Sequence, residues 1–333
     1  MYRSIFSLTV GLTLVLAAAS ADEPKLLKVG IIGLDTSHVT AFTGILNGPK
    51  PRPEFAGVRV VAAFPGGSAD VESSHTRVAG FTKDLKEKFG VEIVDSIDAL
   101  LPKVDVILLE SVDGRPHLEQ VKPVLKAGKP VFIDKPVAGS LADAIQIFEL
   151  AKEYKVPVFS SSSLRFSADV IAMKKNEKLG SLLGCVTYAP CSLEPHHPDL
   201  FWYGVHGVEI LFTLMGTGCE KVSRVQTKDT EIVTGVWNDG RVATFRGIRT
   251  GKSDYGMVAF GSKSIEAQKV GTNYEPLVVE IVKFFRGGPP PVSAEETVEL
   301  FAFMEAADES KRQGGSQVKL ADVIAQARKK NAK

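Results

Sequence analysis

Residues 104–137 read VDVILLESVDGRPHLEQVKPVLKAGKPVFIDKPV. The segment begins with an apolar run at 104–109, continues with a helical stretch at 116–127, and returns to an apolar run at 130–133. Short uninterrupted apolar runs are typical of strands that are buried on both faces of a parallel sheet. Gly128 follows the helical stretch, where helices commonly end. We therefore predict a strand–helix–strand unit inside an α/β domain.

The same alternation of strands and helices continues on both sides of this unit. Ser140 and Asp143 resemble the start of a further helix, because a serine followed three residues later by an acidic residue can cap a helix N-terminus. The predicted strands are residues 26–34, 58–64, 92–94, 104–109, 130–133 and 156–160. This pattern predicts an N-terminal Rossmann-like domain at 22–160, with a doubly wound parallel sheet.

After residue 165 the pattern changes from alternation to consecutive strands. The predicted strands are residues 184–190, 221–228, 231–237, 241–246 and 255–261. Asn238-Asp239-Gly240 is a hairpin signal between two of them, and Ser293 with Glu296 predicts the start of a late helix. Residues 161–333 are therefore predicted to form a C-terminal α/β domain with an open, largely antiparallel sheet.

The composition of the 333 residues excludes several classes of protein. Apolar residues make up 44% and charged residues 24%, which argues against a disordered chain, a fibre or a multi-span membrane protein. Forty basic and 39 acidic residues give a net charge of +1, so nucleic acid is not an expected partner. Cys185 and Cys191 could pair across a short loop, but buried free thiols are favoured for these two residues and for Cys219.

The N-terminus has the pattern of an export signal. Arg3 precedes an apolar stretch at residues 5–19, which ends in Ala19-Ser20-Ala21. A basic start, an apolar centre and small residues at the cleavage site are typical of a signal peptide, so we predict a signal at residues 1–21 with cleavage after Ala21. A retained membrane anchor is the nearest alternative. We expect a periplasmic or secreted protein with no stable membrane span after cleavage.

The turn after the first strand departs from the dinucleotide fingerprint G-x-G-x-x-G. The aligned residues are Gly33-Leu34-Asp35-Thr36-Ser37-His38, so only the first glycine is present. Backbone amides with the Thr36 and Ser37 hydroxyls could still bind a dinucleotide. Alternatively, Asp35 and His38 belong to a pocket for another ligand, or the turn only caps a helix. No acidic residue ends the second strand, so the choice between NAD and NADP stays open.

Residues 104–137 strongly resemble the Gfo/Idh/MocA family, the group of glucose–fructose oxidoreductase and inositol dehydrogenase. His117 ends the polar turn after the strand, Ala127-Gly128-Lys129 matches the family, and Asp134-Lys135-Pro136 stands for its Glu-Lys-Pro. Residues 162–166 and 290–320 resemble later family segments, so the resemblance covers most of the chain. It implies NAD or NADP, usually a sugar or polyol substrate, and a C-terminal domain for substrate binding and oligomerisation as a homodimer or homotetramer.

The resemblance also implies positions for the cofactor and the chemistry. Lys135 matches the active-site lysine, which can hydrogen-bond a hydroxyl and assist its proton loss. A cis peptide bond before Pro136 would fit this motif. The expected cofactor contacts are Gly33, Asp35, Thr36, Ser37, Ser111, His117, Asp134, Lys135 and Pro136.

A second family motif, Asp-x-Gly-x-His-x-x-Asp, corresponds to residues 202–209. His206 matches the family histidine and is expected to transfer protons. Trp202 replaces the first aspartate, and Tyr203 could stack on a sugar or donate its hydroxyl proton. The expected catalytic residues are thus Lys135, His206 and Tyr203. The expected substrate-binding residues are Arg165, His196, His197, Trp202 and Glu209. Adjacent histidines are a poor chelate on one element, so no metal is expected.

The sequence thus predicts an exported NAD(P)-dependent oxidoreductase that acts on a sugar or polyol. An exported enzyme cannot exchange nicotinamide with a cytoplasmic pool, so the cofactor is expected to stay tightly bound through each turnover. An NAD-assisted glycoside hydrolase or lyase is the first alternative. A non-enzymatic carbohydrate-binding protein on a decayed Rossmann scaffold is the second.

Overall fold

The structure is a computed structural model that describes residues 26–49 and 52–331. The predicted signal peptide at residues 1–21 lies outside the described residues. No helix in the described ranges is both long and apolar enough to cross a membrane.

The N-terminal half is built on a six-stranded parallel sheet, as the sequence predicts. Its strands are β1 (Leu27–Ile32), β2 (Val58–Phe64), β3 (Glu92–Ile93), β4 (Val106–Leu109), β5 (Val131–Asp134) and β6 (Val158–Ser161). The strand order is β3-β2-β1-β4-β5-β6, and every neighbouring pair is parallel. The order reverses between β1 and β4, so a ligand crevice is expected where these strands end.

Helices cover both faces of this sheet. They are α1 (Ser37–Asn47), α2 (Glu72–His75), α3 (Val78–Phe89), α4 (Ile97–Leu100), α5 (His117–Lys126) and α6 (Leu141–Tyr154). The Ser140 hydroxyl accepts a hydrogen bond from the Asp143 amide at 3.1 Å, which confirms the predicted cap of α6. The helices α2 and α3 were not predicted.

The C-terminal half is built on a seven-stranded mixed sheet. Its strands are β7 (Leu182–Pro190), β8 (Cys219–Gln226), β9 (Thr230–Trp237), β10 (Val242–Ile248), β11 (Gly256–Gly261), β12 (Ile265–Lys269) and β13 (Val318–Lys319). The strand order is β12-β11-β7-β10-β9-β8-β13, and β7 with β10 is its parallel pair. The predicted hairpin joins β9 to β10, and Gly240 in its turn has a φ of +86°. The expected largely antiparallel sheet is confirmed.

Five more helices complete the fold. They are α7 (Ala168–Lys174), α8 (Val205–Met215), α9 (Glu275–Phe285), α10 (Ala294–Arg312) and α11 (Leu320–Asn331). The helix α8 is buried along its whole length and follows a π-helical turn at Leu200–Gly204. The Ser293 hydroxyl accepts from the Glu296 amide at 3.1 Å, so the predicted start of α10 is confirmed.

The helix α9 returns to the first domain after the second sheet is nearly complete. Its apolar face joins the core of the first sheet, where Leu277 and Phe284 share a cluster with Ile31, Phe42 and Phe159. This helix is not among the predicted elements, because its apolar face packs against a part of the chain that is distant in the sequence.

All three cysteines are free and buried, as favoured from the sequence. Cys191 Sγ donates to Glu231 Oε1 at 3.0 Å. Burial raises the pKa of the Cys185 and Cys219 thiols to about 12, so both stay protonated near neutral pH.

Candidate functional site

A cavity of about 310 Å³ lies where β1, β4 and β5 end and where the second domain faces them. Its first-domain wall includes Thr36, Ser37, His38, Val112 and Lys135. Its second-domain wall includes Trp202, Tyr203, His206 and Tyr255, and Tyr274 lines the cavity beside His38. The position agrees with the crevice expected from the strand order, and the volume is that of a small-molecule site.

The turn after β1 needs glycine at its first position. Gly33 has a φ of +89°, and a Cβ atom there would lie 2.3 Å from Ser111 Oγ. Any other residue would collide with the segment that follows β4. This glycine is therefore required by close packing, as the first glycine of the fingerprint should be.

Asp35 takes the place of the second glycine, but its carboxylate faces inward. One oxygen accepts from the Ser74 hydroxyl at 2.6 Å and the other from the Val112 amide at 2.8 Å. The side chain is fully buried, and burial raises the pKa of its carboxyl. Asp35 thus ties the segments after β2 and β4 together and presents no carboxylate to the cavity.

The N-terminus of α1 faces the cavity with free donors. Thr36 and Ser37 line the cavity, no side chain caps the helix, and its first turn has no acidic residue. Ser73 and Arg77, which the sequence analysis did not single out, line the same cavity. Exposed amides at a helix N-terminus with an arginine nearby favour an anionic ligand group.

His38 forms a close pair with Asp134 at the end of β5. His38 Nδ1 lies 2.5 Å from Asp134 Oδ2, and Asp134 Oδ1 accepts from the Lys135 amide at 2.8 Å. The imidazole stacks on Phe42 and meets the edge of Tyr274. Burial acts to raise the pKa of Asp134, yet His38 and Lys135 hold that pKa below its usual value. Asp134 is thus an ionised, buried partner that fixes the His38 ring.

Lys135 points its amine into the cavity. Nζ lies 5.9 Å from the centroid of the Tyr203 ring and donates no hydrogen bond to a described residue. The Lys135–Pro136 peptide bond is cis. The lysine is therefore available to a ligand.

His206 reaches the cavity from the first turn of α8. Its Nδ1 lies 2.7 Å from Ser162 Oγ, and Tyr203 and Tyr255 meet its ring edge-on. Burial first, and then Lys135 and His38, lower the pKa of His206 well below its usual value. The imidazole is therefore neutral near pH 7.

Arg165 and Glu209, two expected substrate contacts, lie behind the cavity and pair with each other. Arg165 Nε is 2.5 Å from Glu209 Oε2, and its Nη1 is 2.5 Å from Glu296 Oε1. The other Glu209 oxygen accepts from the Ser162 amide at 3.1 Å. In this structure the pair supports the segment that carries Ser162.

His196 and His197, also expected to contact substrate, lie at a contact between the domains. His197 Nε2 is 3.0 Å from Asp113 Oδ1 and is buried there, while His196 Nδ1 lies 2.7 Å from Glu194 Oε1. Neither histidine lines the cavity. No group of three or more His, Cys, Asp or Glu side chains suited to a metal occurs within residues 26–49 and 52–331.

His117 and Ser111, expected to contact cofactor, brace the first domain. The His117 ring lies 2.9 Å from the Ser111 carbonyl and 3.2 Å from the Val137 carbonyl. Ser111 Oγ donates to Gln120 Oε1 at 3.0 Å. These bonds join the segments after β4 and β5, which carry Val112 and Lys135 to the cavity.

Comparison with protein families finds a match in the first domain. Residues 27–162 match the Gfo/Idh/MocA family, described as "Oxidoreductase family, NAD-binding Rossmann fold". The matched residues include the Gly33 turn and Lys135.

Two relatives of the chain are inositol dehydrogenases. Myo-inositol 2-dehydrogenase of Thermotoga maritima is 30% identical over 128 residues, which cover 38% of each chain. Inositol 2-dehydrogenase 1 of Saccharopolyspora erythraea is 27% identical over 214 residues, which cover 60% of this chain and 58% of the relative. An uncharacterised oxidoreductase of Escherichia coli is 28% identical, and the match covers 38% of this chain and 40% of the relative. The matches thus span less than two thirds of the length of each of these relatives.

Solved structures share the fold over most of the chain. The scyllo-inositol dehydrogenase of Lactobacillus casei, solved with NAD(H) and scyllo-inositol, superposes with a TM-score of 0.73 at 15% identity. The match covers 89% of this chain and all of that one. A probable dehydrogenase of Thermotoga maritima gives a TM-score of 0.71 at 20% identity, with 89% of this chain and 100% of that chain covered.

Proposed function

We propose that this chain, whose residues 27–162 match the Gfo/Idh/MocA oxidoreductase family, is a member of that family and an NAD(P)-dependent oxidoreductase of a sugar or polyol. The observation that carries the proposal is the convergence of Lys135, Tyr203 and His206 on one cavity beside the open N-terminus of α1. The inositol dehydrogenases among its relatives support a polyol substrate.

The residues around the β1–α1 turn fit the nicotinamide and pyrophosphate part of the cofactor. Gly33 permits the tight turn, Asp35 keeps its charge buried, and Thr36 and Ser37 offer hydroxyl and amide donors. The loop after β2 offers no free acid for the adenosine ribose. Its Asp70 is held by Arg115 through two bonds of 2.8 Å. This absence leaves NAD and NADP equally open.

The side chains of the cavity divide the work on a substrate hydroxyl. Lys135 donates a hydrogen bond to the hydroxyl oxygen and stabilises negative charge that develops there. Trp202, Tyr203 and Tyr255 offer ring faces and hydroxyls to a sugar or polyol. An imidazole of the cavity, that of His38 or of His206, accepts the hydroxyl proton. A nicotinamide cofactor would supply the hydride acceptor when bound.

We propose further that the protein is exported and keeps its cofactor through turnover. The support is the N-terminal signal pattern and the absence of a free nicotinamide pool outside the cytoplasm. Mass spectrometry of protein from the periplasm or medium is expected to find an N-terminus at Asp22. An intact Met1 would contradict cleavage.

The nucleotide test comes first. Purified protein is denatured, and the released nucleotide is identified by absorbance and fluorescence. We expect released NAD(H) or NADP(H), or a thermal shift when either is added to apoprotein, and oxidation of at least one polyol in a panel that includes myo-inositol. The absence of both release and thermal shift would refute the redox function and leave carbohydrate binding as the alternative.

A further inference from the structure

The cavity contains two imidazoles that are held by different kinds of partner. His38 lies on the first-domain wall and His206 on the second-domain wall. His38 pairs with the buried carboxylate of Asp134, and His206 pairs with the hydroxyl of Ser162. The partner of each ring decides which nitrogen carries the proton.

Asp134 determines the proton position on His38. An ionised carboxylate only accepts hydrogen bonds, so His38 Nδ1 must donate to Asp134 Oδ2. In the neutral ring, Nε2 then has a lone pair. No described residue bonds to Nε2, and the side chain lines the cavity, so this lone pair is available to a ligand.

Ser162 favours the opposite arrangement on His206. Ser162 Oγ accepts from the Leu164 amide at 3.2 Å, and His206 Nδ1, at 2.7 Å, is the one acceptor among the described residues within reach of the hydroxyl proton, so we assign that proton to this bond. A neutral His206 that accepts at Nδ1 carries its proton on Nε2. This imidazole therefore offers an N–H to the cavity.

The groups around the two rings agree with this division. Lys135 lies on the first-domain wall with His38, and its positive charge acts to keep His206 uncharged. Tyr274 packs against His38, while Tyr203 and Tyr255 pack against His206. The buried carboxyls Asp35 and Glu110 lie beneath the first-domain wall without lining the cavity. Trp202 stands where the family motif has an aspartate. The aspartate–histidine pair of this cavity is instead Asp134 with His38, on the first-domain wall.

We propose that His38, oriented by Asp134, takes the proton of the substrate hydroxyl, and that His206 donates a hydrogen bond that holds the substrate. The inference rests on the proposed function. The O–H bond breaks and its proton passes to His38 Nε2, while the hydride leaves the same carbon for the cofactor and the alcohol becomes a carbonyl. Asp134 stabilises the imidazolium that results.

The first test needs neither cofactor nor substrate. Long-range ¹H–¹⁵N correlation spectra of ¹⁵N-histidine-labelled protein report which ring nitrogen carries the proton. The six histidines are assigned with single His→Gln variants, and His75→Gln on the exposed face of α2 is the control. We expect the proton on Nδ1 of neutral His38 and on Nε2 of His206. A proton on Nε2 of His38, or on Nδ1 of His206, would overturn the inference.

The second test separates proton transfer from substrate binding. His38→Ala should lower kcat about 10²–10⁴-fold with little change in KM, and added imidazole should restore part of the rate. Asp134→Asn should lower kcat in the same direction. His206→Gln should mainly raise KM. Loss of kcat in His206→Gln with activity kept in His38→Ala would overturn the assignment.

The two tests also distinguish a failure of this inference from a failure of the proposed oxidoreductase function. If the wild-type protein oxidises a polyol but the tautomers or kinetic effects are reversed, only the assignment of His38 fails. If the wild-type protein binds no nicotinamide nucleotide and oxidises no polyol, the proposed function is refuted. The inference about proton transfer to His38 is then refuted as well.

Discussion

The cavity wall and the layer directly behind it both bury charged side chains, but they use them differently. Behind the wall, Arg165 pairs with Glu209 and Glu296. On the wall, Lys135 and the outward nitrogens of His38 and His206 have no hydrogen-bond partner among the described residues. Buried ions that pair with one another hold the fold, whereas groups that lack a partner are available for chemistry.

The difference has a simple physical cause. Removing an ion from water costs several kcal/mol, which only a close partner offsets, so paired ions in the interior have little capacity left for a ligand. The wall reaches the cavity, where a ligand can provide the missing partner. Substitutions on the wall should therefore affect activity, and substitutions behind it should affect stability.

The largest expected effect is on the wall. Lys135→Met should lower kcat/KM for the polyol about 10²–10⁴-fold, because the donor to the hydroxyl is lost. The free energy of unfolding should stay nearly unchanged, since Lys135 Nζ forms no hydrogen bond or ion pair with a described residue. Steady-state kinetics and urea unfolding measure the two quantities. Lys122→Met, on the exposed surface of α5, is the matched control. Full activity in Lys135→Met would refute the role of the lysine.

The next effect is behind the wall. Arg165→Met should lower the free energy of unfolding by about 3–5 kcal/mol, because Glu209 is left buried without its partner. Urea unfolding followed by circular dichroism measures the loss. Arg52 has an exposed guanidinium, so the control variant Arg52→Met should leave the urea-unfolding curve unchanged. If Arg165→Met is as stable as the wild type but binds substrate poorly, Arg165 contributes to ligand binding and not to stability.

A smaller effect concerns Glu110, which lies beneath the wall. Neither of its carboxyl oxygens has a hydrogen-bond partner in the described structure. Burial first, and then Asp134 and Asp35, raise the pKa of Glu110 well above its usual value of 4.5. The folded protein thus holds the proton that the unfolded chain releases above pH 4.5. Stability is lost as the pH rises from there toward the folded pKa.

Glu110→Gln should remove this dependence. The stability difference between variant and wild type should shift in favour of the variant by up to about 1.4 kcal/mol per pH unit within that interval. Urea unfolding at several pH values between 5 and 8 measures it. Glu119→Gln, exposed on α5, is the control. A difference that does not vary with pH would mean that Glu110 is ionised in the folded state.

The smallest effect concerns the cap of α10, the helix that carries Glu296 behind the wall. Ser293→Ala should cost about 1 kcal/mol, because the Glu296 amide loses its acceptor at the start of α10. Thermal unfolding measures the loss. Ser293→Asp should keep most of the stability, since aspartate also caps helices. Equal losses in both variants would show that the cap itself contributes little.

The sequence predicts the first domain well because its signals are local. Most strands of the parallel sheet are short, largely apolar runs, and local signals such as Gly33 after β1 and Ser140 before α6 mark the turns between elements. The strand β12 and the helix α9 were missed for the opposite reason. The strand β12 is a mostly exposed edge strand, so it lacks an apolar pattern. The apolar face of α9 packs against a sheet whose strands lie more than 100 residues earlier in the chain.

The same distinction applies to the site. Lys135, Tyr203 and His206 belong to recognisable motifs, and the structure brings them to one cavity. Tyr255, Tyr274 and Arg77 have no motif, so no signal in the sequence could identify them. The sequence also cannot tell which charges pair. The expected substrate contacts Arg165 and Glu209 are complementary ions that lie against each other, and nothing in their local sequence reveals it.

The return of α9 to the first domain makes that domain discontinuous in the chain. Phe284 meets Phe159 edge-on, and Tyr274, just before the helix, packs against His38. A fragment cut at residue 160 would lack one wall of its apolar core and the aromatic neighbour of its imidazole. The two domains are also joined by more than one crossing of the chain, so any opening of the cavity must bend these crossings together. Such a linkage permits hinge motion about a shared axis and resists free rotation of one domain against the other.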